Sequence, residues 1–343
     1  MTNTTMRAVL KTGAEKADVV DVPRPTEGPG EVLVRIYACA VCASDLEGWA
    51  SPDIGDRDQT GWNASQPGMT GHEYSGVIEQ AGEGVPQGRV GEEVWVDPIV
   101  GCGDCPACDE KRYNLCPDAS VICGGYADYV VVPAPMALPI PDGMSMNVAS
   151  MISDMMGTPM GATKRANITP GETVAVWGLG PVGLGLVQAA RIAGAATITG
   201  VDLHPSRREL AMELGATHTI DPAAQDPTAA VRALTNGRGA DVVLHSVAAP
   251  APTKQAFDAV RLEGRMVTVA GYPPAGGQEP KSVTGNWTCS HRDFPEYLTH
   301  LAAGRFRLDA YVTHTFPMAS VEEAFHVRLH KPDESLKVIV EMV

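Results

Sequence analysis

The sequence predicts an α/β protein in two parts: a mostly β first part, then a doubly wound parallel sheet. Three observations carry that prediction. Short β-branched runs separated by glycine and proline fill the first ~145 residues. From about Met146, strand-like and helix-like runs alternate in the rhythm of βαβ units. A Gly-x-Gly-x-x-Gly turn, Gly178 to Gly183, stands between one such strand and the helix after it. The length of 343 residues agrees with two domains of roughly 150 residues each.

Taken in order, residues 6 to 40 alternate strand-like runs with turns and end in "EVLVRIYACAVC", after the punctuation at Pro29 and Gly30. "YSGVIEQAG", "GEEVWVDPIV" and "YADYVVVPA" follow as strands. After "PIPDGMS" the period changes. "TVAVWG" reads as a strand and "PVGLGLVQAARIAG" as a helix. "TITGVD" is a strand, "SRRELAMELG" a helix, "DVVLHSV" a strand, "PTKQAFDAV" a helix and "GRMVTVAGY" a strand. The end carries helix candidates in "FPEYLTHLAAG" and "VEEAFHVRLHK", then a terminal strand, "LKVIVEM".

Composition excludes some partners. Hydrophobic residues make up 44%, ordinary for a globular chain with a full core. The net charge of −15 argues against nucleic acid or an anionic membrane, both of which need a basic footprint. The N-terminus lacks a basic segment followed by an apolar one, so no secretory signal is expected. The apolar run Val174 to Val201 is broken by Gln188, Arg191 and glycines, and reads as strand, turn and helix rather than a membrane span. The expected location is therefore cytoplasmic. In a reducing compartment, clustered cysteines bind metal more often than they form disulfides.

Four of the eight cysteines fall in "GCGDCPACDEKRYNLC". Cys102, Cys105, Cys108 and Cys116 have the spacing Cys-x2-Cys-x2-Cys-x7-Cys. Two-residue gaps turn neighbouring sulfurs inward on one tight loop, and the fourth returns to close a tetrahedron. Reduced thiols or an iron–sulfur cluster are the other readings; spacing and compartment favour zinc. Four thiolates leave zinc no open position, so the site is expected to be structural.

The glycine turn reads as a dinucleotide site, because it directly follows a strand and opens a helix. Gly178 permits the tight turn, Gly180 lets a pyrophosphate approach the helix N-terminus, and Gly183 allows close helix–strand packing. Pro181 and Val182 begin the helix. Asp202 ends the next strand, where a carboxylate accepts hydrogen bonds from ribose hydroxyls and favours NAD over NADP. A solvated turn is the plainer reading of Asp202, and Arg207 and Arg208 nearby weaken an NAD preference.

Cys42 in "CAVCASD", His72 in "GHEYSG" and Asp154 in "MISDMMGTP" each have an ordinary reading alone: a small core residue, a satisfied histidine, a helix cap. Spacing does not link them. "CASD", "GHE", the four-cysteine loop, "GLGPVG", "VDLHPSRRELAMELGA" and the "EEAF…KVIV" ending together do. On these motifs the whole chain resembles the zinc-dependent medium-chain alcohol dehydrogenases. The resemblance implies a GroES-like, zinc-binding catalytic domain over residues 1–147 and 291–343, and a Rossmann NAD-binding domain over 148–290. It implies two zinc ions, one structural and one catalytic. Cys42 and His72 would hold the catalytic ion, and "SDMMGT" is similar to a branch using an aspartate as third ligand, here Asp154. Glu73 would be an outer or exchangeable ligand. Three protein ligands leave zinc an open position, the catalytic arrangement.

The same resemblance implies that Ser44 relays the alcohol proton and that Thr158 lies near the nicotinamide; a capping hydroxyl is the plainer reading of each. Asp45 is expected to orient loop backbone or a ligand. Glu47 stands where many relatives carry a histidine that passes the proton outward. The stretch between Cys42 and His72, with Trp49 and Trp62, looks long for the family and either shapes specificity or is an insertion anchored by tryptophans. Cys39, Cys123 and Cys289 are expected to be small buried residues. The expected activity is hydride transfer between NAD and a small-molecule alcohol, preferably a secondary alcohol or polyol, by a homodimer or homotetramer. A dehydrogenase of aldehyde hydrates and a non-catalytic nucleotide-binding protein are the alternatives.

Overall fold

The computed structural model describes residues 4–52, 71–271 and 281–343. Trp62 and most of the stretch between Cys42 and His72 lie outside the described residues. The chain forms two compact units, one drawn from residues up to Ser153 and from Leu308 to Val343, the other from Asp154 to Arg307.

The first unit is built on the strand Glu31–Ala40. It pairs antiparallel with Tyr74–Ala81, Tyr129–Pro133 and the C-terminal strand Lys337–Glu341. The sheet extends through Glu93–Val96 to Ala137–Pro139 on one side and to Val312–Pro317 on the other. Val34, Ile36 and Ala38 are buried while Arg35 and Tyr37 between them are exposed, the period-2 pattern of a sheet with one covered face. Trp49 and Tyr126 pack edge-on against Phe325, with ring centroids 5.4 and 5.2 Å away. These three rings join the short helix Ala43–Ala50, the loop before Tyr129 and the C-terminal helix Val321–His330 in one core. Trp49 is thus a buried anchor, the plainer of its two expected readings.

The second unit contains a six-stranded parallel sheet in the order His218–Ile220, Thr197–Val201, Thr173–Trp177, Ala240–His245, Val260–Thr268, Ser282–Gly285. Counted from Thr173–Trp177, that is order 3-2-1-4-5-6, the doubly wound arrangement with a switch point beside the first strand. The helices Pro181–Ile192, Pro205–Leu214, Pro227–Leu234 and Pro250–Ala259 each open on proline, whose missing N–H would have no intrahelical partner there anyway. The apolar run from Val174 resolves into strand, turn, helix and strand. Among the described residues no helix is long and apolar enough to cross a membrane.

The units divide the chain at Ser153/Asp154 and Arg307/Leu308, whereas the sequence suggested 147/148 and 290/291. The reason at the second boundary is hydrogen bonding. The Gln188 side chain donates to the Arg307 carbonyl at 3.1 Å and accepts from its N–H at 2.8 Å. Arg191 donates to the Arg305 carbonyl at 2.8 Å. Helix Phe294–Ala302 joins them by setting the Phe294 ring where a Cβ on Gly157 would meet it at 3.2 Å.

Candidate active site and metal-binding groups

Cys102, Cys105, Cys108 and Cys116 converge, with all four sulfurs within 4.8 Å of one another. The Cys108 sulfur lies 3.5 Å from that of Cys105 and 4.0 Å from that of Cys102. The short helix Pro106–Asp109 turns Cys108 back toward Cys105. Backbone N–H groups point at the sulfurs: that of Cys102 donates to Cys116 and that of Gly103 to Cys108, both at 3.4 Å. The Cys102 N–H is the main cause that lowers the Cys116 thiol to about 7, whereas a hydrogen bond with Asp104 raises the Cys102 thiol, and the Cys108 thiol, though lowered by the Gly103 N–H, is raised on balance by burial and the neighbouring thiols. Backbone N–H donors favour thiolate, the form that binds zinc, so the residues present fit a four-thiolate ion. None of the eight cysteines forms a disulfide. Burial pushes the Cys39 thiol well above its ordinary value, as expected of an inert core residue. Cys123 and Cys289 are buried as well.

A second group gathers in the first unit from residues far apart in sequence. Cys42 occupies the N-cap of helix Ala43–Ala50, where the helix dipole favours a thiolate. His72 and Glu73 precede the strand Tyr74–Ala81. Ligand atoms of Cys42, His72 and Glu73 lie within 4.8 Å of one another. Asp45, fully buried, organises them. Its carboxylate accepts the Cys42 N–H at 2.9 Å and the Tyr126 hydroxyl at 2.8 Å. It also lies 3.7 Å from His72 Nδ1, which leaves Nε2 as the outward donor. Burial, and then the charge of Asp45, push the Tyr126 phenol well above its ordinary value and keep it a donor. Glu73 is fully buried and accepts from Lys337 Nζ at 2.6 Å; the same ammonium donates to the Val41 carbonyl at 3.1 Å. Mixed N, S and O donors with a carboxylate behind the imidazole fit a zinc ion. Ser44 and Glu47 lie on the exposed side of the same helix, three residues apart and so neighbours on its surface.

Asp154 lies on a π-helical turn, Ile152–Met156, a local irregularity frequent at functional sites. The Thr158 hydroxyl donates to its carboxylate at 2.7 Å.

The glycine turn adopts the expected conformation. Gly178 has φ +83°, and a Cβ on Gly183 would stand 1.8 Å from the Gly178 carbonyl oxygen, so only glycine fits there. Gly180 is the N-cap of helix Pro181–Ile192, with open space where its Cβ would be; the unpaired N–H groups of that first turn fit a pyrophosphate. Asp202 follows the strand Thr197–Val201 and accepts from the N–H groups of Leu179 and His204 at 2.7 and 2.8 Å. Carboxylate oxygens with one bond each retain acceptor capacity for ribose hydroxyls. Arg208 is committed to Asp221 at 3.1 Å and to the Asp202 and Leu203 carbonyls.

Models of two known families match the chain. One, the alcohol dehydrogenase GroES-like domain, matches residues 28–142, and the other, zinc-binding dehydrogenase, matches 181–303. The sorbitol dehydrogenase of Bacillus subtilis is 32% identical over 98% of this chain and 97% of its own length. The chain belongs to the zinc-dependent medium-chain alcohol dehydrogenases. A solved alcohol dehydrogenase from Escherichia coli CFT073, complexed with NADH, superposes with TM-score 0.87 at 27% identity, covering 99% of this chain and all of that one. A Sinorhizobium meliloti 1021 structure bound to NADP does so with TM-score 0.82 at 26% identity, covering 99% and 100%.

This dehydrogenase is thus an oxidoreductase of alcohols with a GroES-like domain and a Rossmann-type domain. Sequence reasoning singled out Cys42, His72, Glu73 and the four-cysteine lobe, and the first unit brings each group together. It missed Tyr126 and Lys337, which hold Asp45 and Glu73 in place. The only signal was indirect: a lysine inside the apolar run "LKVIVEM" requires a buried partner.

Proposed function

We propose that this enzyme transfers hydride between a secondary alcohol or polyol and NAD, with a catalytic zinc held by Cys42, His72 and Asp154 and a structural zinc in the cysteine lobe. The observation that carries the reading is the convergence, within the first unit, of ligand atoms from Cys42, His72 and Glu73 within 4.8 Å of one another; Asp154 is the third zinc ligand that the resemblance to the aspartate branch supports. When bound there, zinc acts as a Lewis acid that polarises an alcohol oxygen. The chain's own residues do the rest. Asp45 orients His72, and Thr158 fixes the Asp154 carboxylate. Lys337 neutralises Glu73 and holds it as an outer or exchangeable ligand. Ser44 takes the alcohol proton, and Glu47 on the same helix face passes it outward. Gly178, Gly180 and Gly183 seat the pyrophosphate at the helix N-terminus beside Pro181 and Val182.

Asp202 supports NAD as the cofactor, since a carboxylate repels a 2′-phosphate; with Arg208 committed elsewhere, Arg207 is the residue that would oppose it. The Asp154 carboxylate supports placement in the branch with an aspartate ligand. Four thiolates bind metal only where they stay reduced, which supports the cytoplasm, and the family supports a homodimer or homotetramer. A sorbitol dehydrogenase among the relatives supports a polyol substrate. The test is a panel of secondary alcohols and polyols with NAD and with NADP, read by the absorbance of the reduced cofactor. Turnover of a polyol with a higher kcat/KM for NAD is expected. Turnover confined to primary alcohols or aldehydes, or a preference for NADP, would overturn the substrate or the cofactor assignment respectively.

A further inference from the structure

We propose that Glu15, His326 and His330 form a third metal site, on the surface of the first unit, for a borderline transition-metal ion of the zinc, nickel and copper class. One ligand atom from each lies within 4.8 Å of the others. His326 and His330 stand four residues apart on helix Val321–His330, so their imidazoles share a face, with ring centroids 4.6 Å apart. Glu15 comes from the turn between the strands Thr5–Gly13 and Lys16–Pro23, and its carboxylate lies 3.0 Å from His330 Nε2.

The frame is fixed before any ion arrives. Glu15 has φ +53°, a conformation few side-chain-bearing residues adopt, and its N–H donates to the Trp49 carbonyl at 3.0 Å. Trp49 is itself clamped edge-on against Phe325 of the same helix. One turn before His326, the Glu322 carboxylate accepts the Ala17 N–H at 2.9 Å. The hairpin is therefore docked along the face that carries both histidines.

An ordinary ion pair needs only Glu15 and His330. It leaves unexplained the second imidazole at stacking distance, which would repel the first if both were protonated. A metal ion uses both rings as neutral donors and the carboxylate as an anion. Two imidazoles and one carboxylate suit zinc, copper or nickel; calcium and magnesium take oxygen ligands. His330 and Glu15 keep 42% and 41% of their side-chain surface exposed, so water fills the remaining positions and the ion exchanges freely. Bridging the hairpin to the C-terminal helix, the ion would stabilise the first unit in proportion to free metal.

The test compares the full chain with its His326→Ala/His330→Ala variant. Equilibrium dialysis against zinc chloride, raised stepwise until uptake levels off, should give about one more zinc per chain in the wild type. Counting the difference makes the result independent of how many ions the rest of the chain holds. Glu15→Gln should weaken this last ion by about 10-fold or more. Cupric ion added to the zinc-loaded wild type should give an electron paramagnetic resonance spectrum with coupling to two imidazole nitrogens, absent from the double variant. Dehydrogenase activity should be unchanged, because none of the three residues belongs to the active site. Equal zinc uptake by both proteins, or the same copper spectrum in both, would overturn the proposal.

Discussion

The cysteine lobe and the Cys42, His72 and Glu73 group both present ligand atoms within 4.8 Å of one another, yet they are built in opposite ways. The lobe takes its ligands from fifteen consecutive residues, and backbone N–H groups of the same loop donate to its sulfurs. The other group draws on a helix N-cap and a strand entry, and its supports, Tyr126 and Lys337, come from elsewhere in the chain. A local set can be assembled by one loop and needs little from the fold. A dispersed set exists only once the sheet, the C-terminal strand and the helix are in register. The first suits a staple and the second a site that must keep an open position for substrate.

Substitutions at the dispersed site sharpen this contrast, because they should leave the lobe intact. Ser44→Ala should lower kcat for alcohol oxidation by about 10²- to 10⁴-fold while zinc content stays at the wild-type value. Rates within a factor of about two of wild type in both directions, below the smallest acid–base contribution, would make Ser44 only a helix hydroxyl. Lys337→Met should strand the buried Glu73 carboxylate and cost about 3 to 5 kcal/mol in urea unfolding. An unchanged midpoint and slope would mean that Glu73 is neutralised by something other than Lys337.

Acid should also act on a buried histidine of the second unit. Burial lowers the His245 imidazole from 6.5 to about 4, so the unfolded chain takes up that proton before the native one. Stability should be full above pH 6.5 and fall by roughly 3 kcal/mol as pH drops from there to about 4. His245→Gln should flatten that part of the profile; an unaltered profile would assign acid lability to other groups. The smallest effect is expected from Thr158→Val, which removes the hydrogen bond to Asp154. Activity or affinity for the catalytic zinc should fall by about 10- to 100-fold, with NAD affinity unchanged.

The same contrast explains how much could be read from the sequence. The lobe and the glycine turn were legible because each is one contiguous loop whose spacing is its geometry. Gly183 is required by a carbonyl only five residues back. Cys42, His72 and Asp154 were linked only by resemblance to a family, since no periodicity connects residues tens of positions apart. Tyr126 meets Asp45 across 81 residues and Lys337 meets Glu73 across 264, and nothing local marks either partner. Residues 291–307, which the sequence places with the catalytic part, fall in the second compact unit for a similar reason: Gln188 holds Arg307 from 119 residues away.

The division of labour is tested most directly by measuring zinc content and thermal stability together in Cys42→Ala and Cys105→Ala. The account predicts that Cys42→Ala loses about one zinc per chain and its activity while keeping the wild-type unfolding temperature. Cys105→Ala should lose the other zinc and unfold at a lower temperature. A Cys105→Ala protein of wild-type stability that lacked only catalysis would contradict it.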